Sequence, residues 1–402
     1  MTEALFMPML FSRNGLDPVA ELTDRRADEP IGKLELPFGI SAWLVTGYAE
    51  AKAVLGNADA FSNAFGNLGA DEDQDPGGLG MTDPPYHTRL RKMLTPEFTM
   101  RRLRRLEPRI TEIVESLLDD MQARYDTQVA AGEQPTIDMV SMFALPIPSL
   151  VICELLGVPY ADRDTFQALS TARFDVSADT LGSIGTSLDY LQGLVERERR
   201  NPGEGMLGML IREYGDQISD RELAGLADGI LTGGHETTAS TLSLGVLALL
   251  QNAQGYAALA GEPDAETVHR TVEELLRYLS VVQVAFPRFA REDVTVGGVT
   301  IGAGEMVLCS YSAVDRDPAL AADSPGPGVD RFDPSRPATS HLAFGYGIHR
   351  CVGAELARIE LRIAFPALAR RFPGLRLAGP ADELAYRDNS IVYSVETLPV
   401  TW

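Results

Sequence analysis

The segment Phe344-Gly-Tyr-Gly-Ile-His-Arg-Cys351-Val-Gly353 runs straight into a helical pattern that continues to Arg371. Gly345 and Gly347 allow turns that a side chain forbids and let backbone approach a flat ligand closely. Cys351 falls at the start of the helix, where free N–H groups and the positive end of the dipole favour thiolate over thiol. A thiolate in that setting suits a metal. The plainer reading is a small buried hydrophobe, which is the one adopted for Cys153 and Cys309, both in apolar segments. A nucleophilic cysteine served by His349 is a third reading, but residues two apart rarely form a catalytic pair and no signature of such an enzyme is present.

Outward from this loop, the 402 residues are 45% hydrophobic and carry a formal charge of −22. So large an acid excess excludes a nucleic-acid binder and adhesion to anionic lipid. The apolar stretch from Ala4 to Phe11 is short, contains Pro8 and follows no basic run, so no signal peptide or membrane span is expected. Three scattered cysteines make no disulfide framework, and a cytoplasmic protein is expected. No linker or repeat divides the chain. Helical periodicity dominates, as in Val268, Val272, Leu275, Leu276 and Leu279. Strand signals are confined to a hairpin around Gly297-Gly298 and an antiparallel return between Leu384 and Val400. Gly203-Glu-Gly205-Met-Leu-Gly208 matches a dinucleotide fingerprint in letters only, because a charged helix end precedes it where a strand is required.

The longest helical pattern, Arg221 to Ala253, contains Gly233-Gly234-His235-Glu236-Thr237-Thr238. Two glycines in mid-helix cost about 1 kcal/mol each against alanine, so a close packing partner or a ligand against the helix wall is expected. Thr237 can donate back to a carbonyl one turn earlier, and a carboxylate beside a hydroxyl can relay protons. A zinc-protease helix is ruled out, since position 239 of His-Glu-x-x-His is alanine. Elsewhere Glu274 and Arg277 lie three apart on one helix face, and His87 and Arg91 four apart on another.

The pattern Phe-x-x-Gly-x-x-x-Cys-x-Gly, filled by Phe344, Gly347, Cys351 and Gly353, resembles the haem-binding signature of the cytochrome P-450 family. Gly233, Gly234, Glu236 and Thr237 match that family's oxygen-activation motif. The resemblance extends from about His87 to the C-terminus. It implies one domain over residues 1–402, mainly α with small β-sheets, with haem b (iron protoporphyrin IX) between the long central helix and the cysteine-loop helix. Cys351 would be the axial ligand. Phe344, Gly345, Gly353 and Gly233 would border the haem, and His87, Arg91, Arg288 and His349 would meet its propionates. Glu236 and Thr237 would be catalytic, supplying and relaying the protons that cleave dioxygen. Glu274, Arg277 and Arg336 would form a buried structural network, whereas His269 and His341 have no family match and are expected at the surface.

The implied reaction is insertion of one atom of O2 into an apolar small molecule, by hydroxylation or epoxidation. A bacterial secondary metabolite, steroid or terpenoid would be the substrate. Electrons would come from a ferredoxin or flavodoxin and its reductase. The segment 87–109 is net basic within this acidic chain, and Arg350 and Arg358 are expected to extend it as a docking face. The resemblance places pocket segments at Asn63–Gly80, Phe174–Thr186, Leu231–Thr232, Val282–Phe286 and Ser390–Val392. Oxidative coupling or rearrangement, and a haem sensor without turnover, remain as alternatives; the Glu236–Thr237 pair favours oxygenation.

Overall fold

The computed structural model describes residues 8–36, 40–64, 66, 78–162, 165, 180–321, 328–387 and 390–402. Its helices that matter for the site are α1 (Tyr48–Gly56), α2 (Tyr86–Leu94), α3 (Glu107–Ala130), α4 (Pro146–Leu156), α5 (Thr180–Arg200), α6 (Asp220–Gln251), α7 (Ala253–Ala260), α8 (Ala265–Leu279) and α9 (Ala354–Arg371). The strands are short: β1 (Ile31–Leu36), β2 (Ile40–Val45), β3 (Phe61–Ser62), β4 (Ile137–Asp138), β5 (Arg288–Ala290), β6 (Val294–Val296), β7 (Val299–Ile301), β8 (Met306–Cys309), β9 (Arg376–Leu377) and β10 (Pro399–Thr401).

Helix α6 starts where its sequence says it should. Ser219 accepts from the Glu222 N–H while the Glu222 side chain accepts from the Ser219 N–H, a reciprocal cap that satisfies two otherwise orphaned donors. Beyond Thr237 the helix is buried all round, from Thr238 to Leu249, which accounts for the loss of an amphipathic stripe in that half. It packs against α4, α5, α8 and α9. Helix α8 is the opposite case: Asp264 caps it through the Thr267 N–H, and one apolar face from Val272 to Leu279 enters the core.

Five strands form a sheet in the order β1-β2-β8-β5-β3. Its one parallel pair sets Val45 against Cys309, and β5 runs antiparallel to β8 with Arg288 opposite Val307. The Gly297-Gly298 hairpin forms as expected between β6 and β7, both glycines at positive φ (58° and 81°) as a tight two-residue turn requires. The return near the C-terminus is antiparallel too, but it closes through a single bridge, Tyr386 to Val395. The last strand, β10, pairs instead with β9 and β4. The fingerprint at Gly203–Gly208 follows helix α5, not a strand, so the nucleotide reading fails structurally as well.

Candidate active site

The cysteine loop is a closed turn. The Cys351 N–H donates to the Phe344 carbonyl at 2.8 Å, the Arg350 N–H to Gly347, and the Gly345 N–H to Leu342. Gly345 and Gly347 have φ of +70° and +75°. At Gly347 the requirement for glycine is twofold, because an added Cβ would also lie 2.4 Å from the Leu55 carbonyl oxygen of α1. Cys351 sits three residues before α9, with its surface exposed. Although its surface is accessible, the protein packed around the thiol desolvates it and pushes it up, opposed by the Gly353 N–H and by the charges of Arg91, Arg350 and Arg358. The expected bias towards thiolate is therefore contested by desolvation; a coordinating metal, which deprotonates a thiol outright, would decide it. Cys153 and Cys309 are buried, and burial pushes the Cys309 thiol to about 12, as befits inert core residues.

Four basic residues predicted from separate parts of the sequence converge beside this loop. The His87 and His349 rings stand 4.2 Å apart, and the charges of Arg288 and His87 act together on His349. His349 Nδ1 pairs with the Leu79 carbonyl at 3.1 Å. Arg91 donates to the Arg350 carbonyl at 2.6 Å, and Arg288 to that of Phe286 at 2.8 Å. His87 is 1% exposed, and neither ring nitrogen has a partner among the described residues. A buried imidazole with both nitrogens unpaired is costly unless a ligand satisfies it. Two arginines and two histidines gathered beside a thiol fit a group with two carboxylates and one thiolate-binding metal, which is the donor set that haem b requires.

On α6 the two glycines serve different ends. A Cβ on Gly234 would meet Ile152 of α4 at 3.0 Å, so that glycine is explained by helix packing. A Cβ on Gly233 would meet nothing within 4 Å, and Gly233 is exposed in mid-helix, as is Gly229 one turn earlier. Thr237 donates to the Gly233 carbonyl at 2.5 Å, the one-turn-back bond expected from its sequence. Glu236 is buried and its Oε2 accepts from Arg387 at 3.0 Å, while Oε1 has no partner among the described residues. Burial raises this carboxyl; Arg387 opposes the rise. His235 points away, its Nε2 3.1 Å from the Leu145 carbonyl, and burial outweighs that bond to lower the imidazole to about 4.

His235 makes stability depend on pH in a defined direction. Its folded value lies below the ordinary 6.5, so the unfolded chain binds the proton first and stability falls as pH drops from about 6.5 towards 4. The loss attributable to this residue is on the order of 2 kcal/mol by pH 5. Urea unfolding at pH 7 and pH 5 should show a smaller difference in His235→Gln than in the parent; equal differences would remove His235 from the account.

The structural network is buried as the resemblance implied. Arg277 grips Glu274 through Nε and Nη2, both at 2.8 Å, and Arg336 reaches the same carboxylate at 3.3 Å. Arg277 also donates to the Asp315 and Val329 carbonyls, tying α8 to the chain ahead of the cysteine loop. Two expectations are corrected. Arg358 is not part of a surface patch: it is buried against Glu273, with bonds of 2.7 and 2.8 Å, and stacks 4.7 Å from the Phe344 ring. His341 is not a surface residue either: its side chain is buried, with Nε2 3.2 Å from Glu273 Oε2, an oxygen it shares with Arg358. Despite its burial, Glu273 is held well below the usual carboxylate range by these two partners. Together they brace α8, α9 and the residues before Phe344.

Of the basic segment, Arg89, Arg102 and Arg109 are engaged with Glu222, Glu97 and the Glu112–Glu154 pair respectively. Lys92, Arg101, Arg104 and Arg105 are exposed, as is Arg350. Among the pocket segments, Phe286 and Ile391 are 58% and 59% exposed, unusual for large apolar side chains, and Phe286 lies against Gly80. Leu231 faces the core instead. Residues 65, 67–77 and 174–179 of the expected pocket fall outside the described residues.

The family model "Cytochrome P450" matches residues 38–201 and 189–375. The chain is 39% identical to Cytochrome P450 165B3 of Amycolatopsis orientalis, covering 98% of each chain. It is 40% identical to pentalenic acid synthase of Streptomyces avermitilis, covering 96% of this chain and 94% of that one. Among solved structures, OxyC, a cytochrome P450 implicated in an oxidative C–C coupling reaction during vancomycin biosynthesis, superposes with a TM-score of 0.86 at 39% identity, over 97% of this chain and 96% of that one. A haem-thiolate oxidoreductase is the class this fold and likeness define. The chain belongs to the cytochrome P450 family, whose members are monooxygenases that bind haem b and use O2 and redox partners. Among the described residues no helix is long and apolar enough to cross a membrane.

Proposed function

We propose that the whole chain acts as one cytoplasmic monooxygenase domain that inserts an oxygen atom from O2 into an apolar small molecule. Cys351 ligates the iron, His87, Arg91, Arg288 and His349 take the two propionates, and Phe344, Gly345, Gly353 and Gly233 leave room for the macrocycle. The chemistry supplied by bound haem b is the reductive activation of dioxygen. What this chain's own residues contribute is proton handling: the Glu236 carboxyl, with Oε1 unpartnered, holds or passes a proton, and the Thr237 hydroxyl orients its delivery. Electrons arrive singly from a ferredoxin or flavodoxin and its reductase, an acidic partner being steered to Lys92, Arg101, Arg104, Arg105 and Arg350. Phe286 and Ile391 form an apolar wall for a terpenoid, steroid or comparable bacterial metabolite.

The buried carboxyl beside Thr237 carries this reading, since neither haem binding nor sensing needs a proton source there. In Thr237→Ala, partner-driven O2 consumption should continue while product formed per O2 falls by about ten-fold or more, the missing oxygen appearing as peroxide or water. Unchanged product per O2 would remove Thr237 from catalysis. A second reading, oxidative coupling of a substrate, is supported by the likeness to OxyC. Turnover under heavy-isotope dioxygen separates them: insertion puts the label in the product, whereas coupling sends all of it to water.

A further inference from the structure

Glu236 is reached by a charge that no motif announces. Arg387 lies 151 residues further along, in the return segment before β10, where its N–H donates to the Ser394 carbonyl at 2.8 Å. From there its guanidinium Nη1 lies 3.0 Å from Glu236 Oε2. The Arg387 side chain is 27% exposed and that of Glu236 only 2%. A carboxylate this deeply enclosed is unstable without a counter-charge, and among the described residues Arg387 is the charge that acts on it. On its own helix His235 is turned to the Leu145 carbonyl. On the facing helix α4, Ile152 packs against this turn and is apolar, while Glu154 is engaged with Arg109. The ion pair uses Oε2, and Oε1 has no hydrogen-bond partner among the described residues, so one oxygen is anchored and the other is not.

Resting on the function proposed above, the geometry points to Arg387 as a positioning residue for the acid–alcohol pair, one that fixes the charge and the orientation of the Glu236 carboxylate from the C-terminal segment. Among the described residues Arg387 makes no hydrogen bond to Thr237 or to the cysteine loop; it acts through Glu236. A guanidinium suits the role because it remains charged and its planar fork holds one oxygen in a defined direction. Withdrawing it leaves burial unopposed, so the carboxyl keeps its proton to higher pH than in the parent.

The test uses haem-loaded protein and four variants: Glu236→Gln, Arg387→Gln, Arg387→Met and Arg387→Lys. The infrared difference between parent and Glu236→Gln assigns the Glu236 carboxyl, whose titration is then followed in the Arg387 variants. Loss of the cation in Arg387→Gln or Arg387→Met should raise the midpoint by roughly one to three pH units, and Arg387→Lys should restore most of it. The pH limb of partner-driven O2 consumption should move by the same amount. A role confined to stability would lower the unfolding midpoint without moving either titration. An unmoved Glu236 midpoint in both neutral variants, or a lysine variant indistinguishable from them, overturns the proposal. The reduced, carbon-monoxide-bound spectrum keeps its thiolate-type Soret band in every variant. A parent protein without that band overturns the haem-thiolate reading itself, whereas a normal band with an unmoved midpoint overturns the role of Arg387 alone.

Discussion

Cys351→Ser is expected to lose the red-shifted Soret band of the reduced, carbon-monoxide-bound state, together with at least a roughly thousand-fold fall in turnover, equivalent to about 4 kcal/mol. The loop itself should survive the change. Its closing bond runs from the backbone N–H of residue 351 to the Phe344 carbonyl, and both glycine conformations are set by neighbouring backbone and by Tyr311. What disappears is a soft, anionic sulfur able to donate electron density to iron. Arg91, Arg350 and Arg358 remain nearby but cannot turn a serine hydroxyl into an equivalent ligand. Retention of the thiolate-type band in the serine variant would transfer the ligand role elsewhere. Cys309 is an unsuitable substitute, lying in the core with its thiol pushed to about 12.

Glu274→Ala should be among the most destabilising single substitutions in the chain. The Glu274 carboxylate accepts from Arg277 twice, from Arg336 and from the Asp333 N–H at 3.0 Å. Removing it leaves two guanidinium groups facing each other at 1% and 2% exposure without their shared counter-ion. Stranding a buried charge costs about 3–5 kcal/mol, a large part of a stability that for most proteins is about 5–15 kcal/mol. The expected result is a steep loss in the urea midpoint. Because Arg277 also anchors the Asp315 and Val329 carbonyls, haem retention should fall with it. Replacing both Glu274 and Arg277, as in Glu274→Met with Arg277→Leu, should cost less than the sum of the two single changes, since only Arg336 is then left without its counter-ion instead of two guanidinium groups. A midpoint for Glu274→Ala within error of the parent would show the network to be ornamental.

Where local pattern and tertiary role coincide, the sequence is readable. The long helical pattern of α6, the amphipathic face of α8 and the glycine turn between β6 and β7 are all visible in their own windows. The convergence of His87, Arg91, Arg288 and His349 is legible only through the family resemblance, because each alone looks like a solvated side chain. The misreadings share one cause. Arg358 follows Arg350 in a basic stretch, and His341 stands among small polar residues, so both look superficial until Glu273 is seen facing them from α8. Glu273 itself is masked by its neighbour Glu274, whose spacing to Arg277 draws the eye to a different pair. Arg387 is the extreme case. Its partner lies on a helix 151 residues away and no local spacing encodes the contact.

The brace around Glu273 and Glu274 draws on α8, α9 and the chain between Asp315 and His341. Phe286 and Ile391 contribute nothing to it and stand open on other segments. Substitutions in the two groups share no partner and should combine additively. On the function proposed above, the accepted molecule could therefore be retuned at Phe286 and Ile391 while the brace behind the cysteine loop stays as it is. The same separation lets a designer randomise the wall without first repairing the reactor.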